Sequence, residues 1–297
     1  MPELPEVETV RRGLAAHVIG SRVDSIEVQD ARSLKRHAGG AKNFDEEVVG
    51  STFSAVVRRG KFLWLPLGDS HALVCHLGMS GQVLLRSCDF EPDPLTRITL
   101  RLSGKDGKVE MRFVDQRLFG GMFVDNLQLT SDQLPGGFSP ESETTTMIPT
   151  SVGHIARDPL DPALDMDSVI SLLSKRSAGI KRLLLDQRIV SGIGNIYADE
   201  ALWRSKLYFD TPAGEISRRK LTDLMRNVVE VLTEAVERGG TSFDQQYKNV
   251  NGESGYFSQE LEAYGRSGLP CSRCGTKIAR ASWANRSSYF CPKCQRL

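Results

Sequence analysis

No stretch of 18 consecutive apolar residues occurs in this chain of 297 residues, so no membrane-spanning helix is expected. The opening MPELPEVETV is acidic and has no apolar core, which argues against a secretory signal peptide and for a cytoplasmic protein. Internal repeats and low-complexity tracts are missing too, which leaves a globular chain rather than a repeat array or linker. Nor is there an excess of charge of one sign. The 38 Lys and Arg against 37 Asp and Glu leave a net charge of +1, which gives no global sign of a polyanionic partner.

What is present has a local pattern that this total hides. Residues 271–297 carry Arg273, Lys277, Arg280, Arg286, Lys293 and Arg296 and no acid. Residues 175–188 carry Lys175, Arg176, Lys181, Arg182 and Arg188 against the single acid Asp186. The acids gather in residues 130–167, where Arg157 is the one base. Two basic patches offset by an acidic segment suit a polyanion bound on one face; solvated surface charge is the plainer reading of the same pattern.

Hydrophobic content of 40% and a length of 297 residues allow two domains with sizeable cores. Residues 5–19 read as a helix: Pro5 suits the first turn, Glu6 and Glu8 favour its positive end, and Val7, Val10, Leu14 and Val18 form one stripe. This places residues 2 and 3 at a helix N-terminus. Residues 21–125 read as short strands separated by turn signals, the pattern of a sandwich or barrel. Residues 131–165, rich in Ser, Thr, Pro and acid, read as a linker. Helical periodicity follows in DSVISLLSK, IKRLLLDQ, NIYADEALWRSK and RRKLTDLMRNVVEVLTEAVERGG, then a polar loop over 241–260. The expected fold class is α+β, with domains at 1–130, 166–264 and 265–297.

Cys271-x2-Cys274 and Cys291-x2-Cys294, sixteen residues apart, have the spacing of a four-cysteine zinc site. Disulfides are the alternative, but an intracellular chain keeps its thiols reduced. Four protein ligands leave no open position, so the ion is structural. Cys75 and Cys88 stand apart and are expected as buried apolar residues.

Taken in order, MPELPEVETVRRGL, HLGMSG (76–81), DQRLFG (115–120), SGIGNIYADEAL (191–202), GGTSF (239–243), NGESGYF (251–257), AYGRSG (263–268) and the terminal FCPKCQ resemble the bacterial formamidopyrimidine-DNA glycosylase family end to end. The resemblance implies an N-terminal β-sandwich with a flanking helix, a helix–two-turns–helix domain and a zinc ribbon. It implies a monomer acting on damaged double-stranded DNA, with one structural Zn2+, that removes oxidised purines and then cuts the strand.

Under that resemblance Pro2, freed by removal of Met1, supplies the nucleophilic amine, and Glu3 the general acid/base. Glu6 is either a second carboxylate raising the pKa of Glu3 or a first-turn acid. Lys61 and Arg286 complete the catalytic set: Lys61 contacts a phosphate at the lesion and assists the chemistry, and Arg286 binds the lesion-flanking phosphate and serves the second elimination. Met79, Arg117 and Phe119 fill the void left by the extracted base. Asn195 and Arg176 grip the backbone, and the 241–257 loop closes over the base. The chain departs from the family pattern at two points. Pro94-Leu95-Thr96-Arg97 stands where some members have a DNA-contacting His, which shifts that contact to Arg97, and Leu118 stands where a second Arg is common. Leu4, where the endonuclease VIII branch has Gly, favours the purine-directed branch. The alternatives are an oxidised-pyrimidine glycosylase of that branch and a non-catalytic zinc-containing damage binder.

Overall fold

The structure, a computed structural model, describes residues 2–105, 107–142, 145–241, 250, 251, 255 and 257–296. The chain divides into two compact units, one of residues 1–154 with 239–256 and one of residues 155–238 with 257–297.

The first unit opens with α1 (Leu4–Val18), close to the expected helix. Two antiparallel sheets follow. One has the order β1-β6-β7-β5, from β1 (Arg22–Val28), β5 (Gly81–Ser87), β6 (Thr96–Gly104) and β7 (Gly107–Asp115). The other has the order β2-β3-β4-β8-β9, from β2 (Val57–Arg59), β3 (Phe62–Pro66), β4 (His71–His76), β8 (Gly121–Leu129) and β9 (Met147–Pro149). The stripe of α1 shares one core with residues of both sheets, including Leu63, Leu73, Leu100, Met111 and Phe113. This is the expected sandwich with a flanking helix.

Three expectations are corrected here. A second helix, α2 (Gly40–Val48), lies within the stretch read as strands and buries only Phe44 and Val48. Two apolar anchors in nine residues are too sparse to register as periodicity. Residues 131–154 of the stretch read as a linker belong to the first compact unit. Leu127, Gln128 and Leu129 of β8 pair with Pro149, Ile148 and Met147 of β9, and Phe138 exchanges backbone hydrogen bonds with Arg58. Cys75 is buried, which pushes its thiol up to about 12, but Cys88 is exposed.

That stretch is held by charge as well. Glu8, buried on α1, accepts from Arg11 at 3.0 Å and from Arg58 of β2 at 2.8 Å, while Arg11 also reaches Glu141 at 2.5 Å. The ring of Phe138 lies under both guanidinium groups. Burial raises the pKa of Glu8, but Arg58 and Arg11 outweigh it and hold the carboxyl below its ordinary value. Removing one partner strands a buried charge, which costs about 3–5 kcal/mol.

The second unit contains α3 (Met166–Leu173), α4 (Ile180–Leu184), α5 (Asn195–Ser205) and α6 (Arg218–Glu237). On α6 the buried residues Leu221, Leu224, Met225, Val228, Val231, Leu232 and Ala235 recur at helical spacing, and Ser217 caps the helix by accepting from the Lys220 N–H. A ribbon of β10 (Ala279–Trp283) and β11 (Arg286–Phe290) completes the unit. Among the described residues no helix is long and apolar enough to cross a membrane.

Candidate functional site

Pro2 and Glu3 are buried immediately before α1. Glu3 is the N-cap residue, and its backbone N–H donates to Glu6 Oε2 at 2.8 Å. The other oxygen of Glu6 accepts from the Thr241 N–H at 2.7 Å and its hydroxyl at 3.0 Å. Glu6 therefore ties the start of α1 to residue 241, a role neither sequence reading assigned it. A Cβ on Gly240 (φ +84) would stand 2.8 Å from Glu6 Oε1, which explains the glycine before Thr241. Of the expected base-closing loop, residues 242–249, 252–254 and 256 lie outside the described residues.

Lys61 sits in the two-residue turn of the β2–β3 hairpin, where Arg59 pairs with Phe62 and Gly60 has φ 56. Glycine at the first central position suits a type II′ turn. The turn is referred to α1 through one side chain: Arg58 donates to the Gly60 carbonyl at 3.2 Å and to Glu8 at 2.8 Å. The buried ion pair thus places Lys61 relative to the helix that carries Glu3.

Met79, Arg117 and Phe119 come together on two neighbouring loops. Met79 is 39% and Phe119 44% exposed, and the Arg117 guanidinium lies 4.7 Å over the Phe119 ring. Asp115, fully buried, binds the loops: it accepts from Ser80 Oγ at 2.5 Å, the Arg117 N–H at 3.0 Å and the Gly120 N–H at 2.9 Å. A Cβ on Gly78 (φ +63) would meet the Gly120 nitrogen at 2.4 Å, so only glycine permits this approach. Exposed apolar side chains on a braced platform are what a wedge requires. Asp115→Ala takes the acceptor from Ser80 Oγ and the Gly120 N–H and leaves the Arg117 N–H only its 3.2 Å bond to Ser80 Oγ, and a loss of about 3 kcal/mol is expected in urea unfolding. An unchanged midpoint would show that the carboxylate does not brace the loops.

Arg97, expected as a DNA contact, is half-buried and engaged by the fold itself. Its guanidinium donates to the Asp115 carbonyl at 2.8 Å and to Asp30 at 3.2 Å, as a strut between β7 and the turn after β1. At the missing second arginine, the carbonyl of Leu118 (φ +55) accepts from the exposed Lys35 at 2.7 Å.

His76, quoted above within HLGMSG but given no role there, faces the Phe62 ring at 5.3 Å. Burial, then Arg36 and Lys35, lower its pKa from 6.5 to about 4, so it is neutral at physiological pH. The unfolded chain protonates first as pH falls, so this contribution is complete above pH 6.5 and lost as pH falls towards 4. Between pH 7.5 and pH 5 the group should cost about 2 kcal/mol of stability. His76→Gln should lose that pH-dependent part in urea unfolding at the two pH values; equal losses in both proteins would refute it.

In the second unit, α4 starts at Ile180 as expected but ends at Leu184, because the chain turns there: the Asp186 N–H bonds the Leu183 carbonyl and the Asp186 side chain accepts from the Arg188 N–H. Between α4 and α5 the chain makes two turns stapled by Gln187, whose side chain accepts from the Gly192 N–H and donates to the carbonyls of Leu185 and Ile193. Arg176 is exposed in the α3–α4 connection. Asn195 opens α5, but its Nδ2 donates to the Ser287 carbonyl at 2.9 Å, so it links helix and ribbon. Arg286 is exposed at the ribbon tip, after a turn in which Ala284 and Asn285 both have positive φ (44 and 58).

Buried acids on α5 were not anticipated. Glu200 accepts from the N–H groups of Glu262, Ala263 and Tyr264 at 3.0, 2.9 and 2.8 Å. Burial raises its pKa against the pull of these donors. Asp199 pairs with the buried Lys181 at 2.7 Å. Acids inside the otherwise apolar YADEALW were the available signal.

The Sγ atoms of Cys271, Cys274, Cys291 and Cys294 all lie within 4.8 Å of one another. A tetrahedral zinc ion with Zn–S near 2.3 Å needs sulfurs about 3.8 Å apart, so the four thiols fit one ion. Gly275 (φ 71) lets its N–H return to the Cys271 carbonyl at 2.8 Å and closes the first knuckle.

A family model of the formamidopyrimidine-DNA glycosylase N-terminal domain matches residues 1–122. The H2TH domain of that glycosylase matches residues 155–246, and a zinc finger found in FPG and IleRS matches 268–297. The formamidopyrimidine-DNA glycosylase of Leifsonia xyli subsp. xyli is 51% identical over 300 residues, covering 100% of both chains. That of Thermobifida fusca is 48% identical, covering 99% of this chain and 97% of the relative. Lactococcus lactis Fpg, solved with DNA containing an abasic site, superposes with a TM-score of 0.80 at 30% identity, covering 99% of this chain and 100% of that one. The same protein solved with N7-benzyl-Fapy-dG DNA gives the same TM-score. With three domain models in order, a metal-fitting ribbon and 51% identity along its whole length, the chain belongs to the formamidopyrimidine-DNA glycosylase family.

Proposed function

We propose that this chain is a base-excision repair enzyme, a zinc-containing DNA glycosylase and lyase that removes oxidised purines such as 8-oxoguanine and formamidopyrimidines from duplex DNA. The observation that carries the reading is the Pro2-Glu3 pair buried at the positive end of α1. Once Met1 is removed, Pro2 presents a secondary amine whose reference pKa is near 8, and the helix end favours its neutral form.

The neutral nitrogen attacks C1′ of the damaged nucleoside while the Glu3 carboxylic acid protonates the ring oxygen. The C1′–O4′ bond breaks as the ring oxygen is protonated, the base leaves with the glycosidic electron pair and takes up the proton shed by the amine, and the opened sugar is held as an iminium at Pro2. Glu3, now a carboxylate, accepts the acidified C2′ proton and the electrons expel the 3′ phosphate; in a second elimination the C4′ proton passes to solvent and its electrons expel the 5′ phosphate, and water releases the sugar. Lys61 and Arg286 hold the flanking phosphates, with Arg176 on the backbone further out. Met79, Phe119 and Arg117 occupy the space of the extruded nucleotide. Arg97 and Asn195 support this surface through the struts described above. The enzyme works in the cytoplasm as a monomer.

Borohydride with duplexes carrying 8-oxoguanine or an oxidised pyrimidine tests the reading. Covalent trapping and faster excision on the purine duplex are expected. Preference for the pyrimidine would indicate the endonuclease VIII activity, and binding without trapping a damage binder. Lys61, Arg176, Arg286 and one further basic side chain make about four phosphate contacts, which predict a slope of log affinity against log salt of about −3 to −4; a slope near zero would contradict this footprint.

A further inference from the structure

Two residues one turn apart on α5 fit two positions on a strand. Asn195 Nδ2 donates to the Ser287 carbonyl at 2.9 Å, and Asp199 Oδ2 accepts from the Tyr289 N–H at 3.0 Å. Four residues of helix advance about 6 Å, and two residues of strand advance about 6.6 Å. The helix face thus substitutes for a third strand along β11. Lys181 of α4 completes the clamp. Its ammonium donates to Ser288 Oγ at 2.7 Å, pairs with Asp199 Oδ1 at 2.7 Å, and lies 5.2 Å from the centre of the Trp283 ring. Lys181 is 0% and Asp199 1% exposed, so the pair is a committed part of the interior.

The clamped residues, 287 to 289, directly follow Arg286. The Arg286 side chain is exposed at the end of a two-stranded ribbon, and such a ribbon alone holds direction poorly. We propose that Asp199, with Lys181 and Asn195, is a positioning residue for Arg286: the clamp fixes β11 against α4 and α5 and so fixes where the guanidinium meets a DNA phosphate. This rests on the reading of Arg286 as a phosphate-binding residue. Neither Asp199 nor Lys181 touches DNA in this arrangement; both act through the strand.

The test is a double-mutant cycle on the zinc-loaded full-length protein with an 8-oxoguanine duplex. Arg286→Ala alone should lower kcat/KM about tenfold or more and reduce the salt slope by about one. Lys181→Met with Asp199→Leu removes the ion pair without stranding a charge. It should reproduce most of that loss and the same change in salt slope, with zinc content still one per chain. Adding Arg286→Ala to it should then cost less than about twofold more. Should that variant fold poorly, Lys181→Met with Asp199→Asn, which strands no charge and keeps an acceptor for the Tyr289 N–H, should give a smaller loss with the same non-additivity. Losses that multiply, or a clamp variant with an unchanged salt slope, would overturn the positioning role while leaving Arg286 in place. An inert Arg286→Ala would overturn both this inference and the phosphate-binding role of Arg286.

Discussion

Protein whose Pro2 nitrogen is acetylated, or that retains Met1, should lose borohydride trapping on 8-oxoguanine DNA by at least about a thousandfold. The ground for so large an effect is the protonation state of the nucleophile. With a pKa near 8, about a quarter of a terminal amine is neutral at pH 7.5, against about a thousandth of a lysine at 10.4. An acyl group, or the peptide bond to Met1, delocalises the same lone pair and removes the nucleophile outright. Pro2→Gly, once Met1 is removed, keeps a primary amine at the same helix end and should retain weak trapping, which separates loss of the amine from loss of the ring. Intact mass establishes the state of the terminus, and trapping yield on a denaturing gel reads the result. Full-rate cleavage by a chain shown to keep Met1 would rule the mechanism out.

Those residues were legible in the sequence only through the order of motifs. Pro5, Glu6 and Glu8 read locally as a helix start, which fixed Pro2 and Glu3 at its end, and α1 begins at Leu4. Nothing local distinguishes a nucleophilic Pro2 from an ordinary terminal residue. Short runs of Val, Ile, Leu and Phe between turn signals mark the strands, because central strands such as β3 and β4 bury consecutive residues on both faces. The stretch after β8 reads as a linker because its anchors are long-range: Glu141 meets Arg11 130 positions away, and Phe138 bridges Arg58. A composition rich in Ser, Thr and acid does not reveal such pairs. The same limit explains Arg97 and Asn195, whose partners Asp30 and Ser287 are 67 and 92 positions distant. Polar residues were identified as contacts for DNA, and the fold uses these two first to hold itself.

The cysteines present the opposite case, since spacing alone predicted the cluster, and removing its metal should have the second large effect. The ribbon cannot stand on its own packing. Apart from the clamp on β11, its buried apolar core is Trp203, Ala263, Cys271, Ile278 and Cys291, and two of these are the metal's own ligands. Zinc binding to such small modules is worth about 10–16 kcal/mol at pH 7, far more than five side chains and a two-stranded ribbon provide. Cys294→Ser, or exhaustive chelation, should therefore unfold residues 265–297 and with them the tip that carries Arg286. Melting should stop there, because Glu200 on α5 holds the N–H groups of residues 262–264 independently of the metal. The expected outcome is a protein that keeps its helical circular dichroism, contains no zinc, and binds lesion DNA at least about a hundredfold more weakly. The low-salt affinity should fall most, since each lost phosphate contact removes nearly one unit of salt dependence. A zinc-free chain with undiminished affinity would mean that the ribbon contributes nothing to the grip, and the basic residues between 273 and 296 would need another purpose.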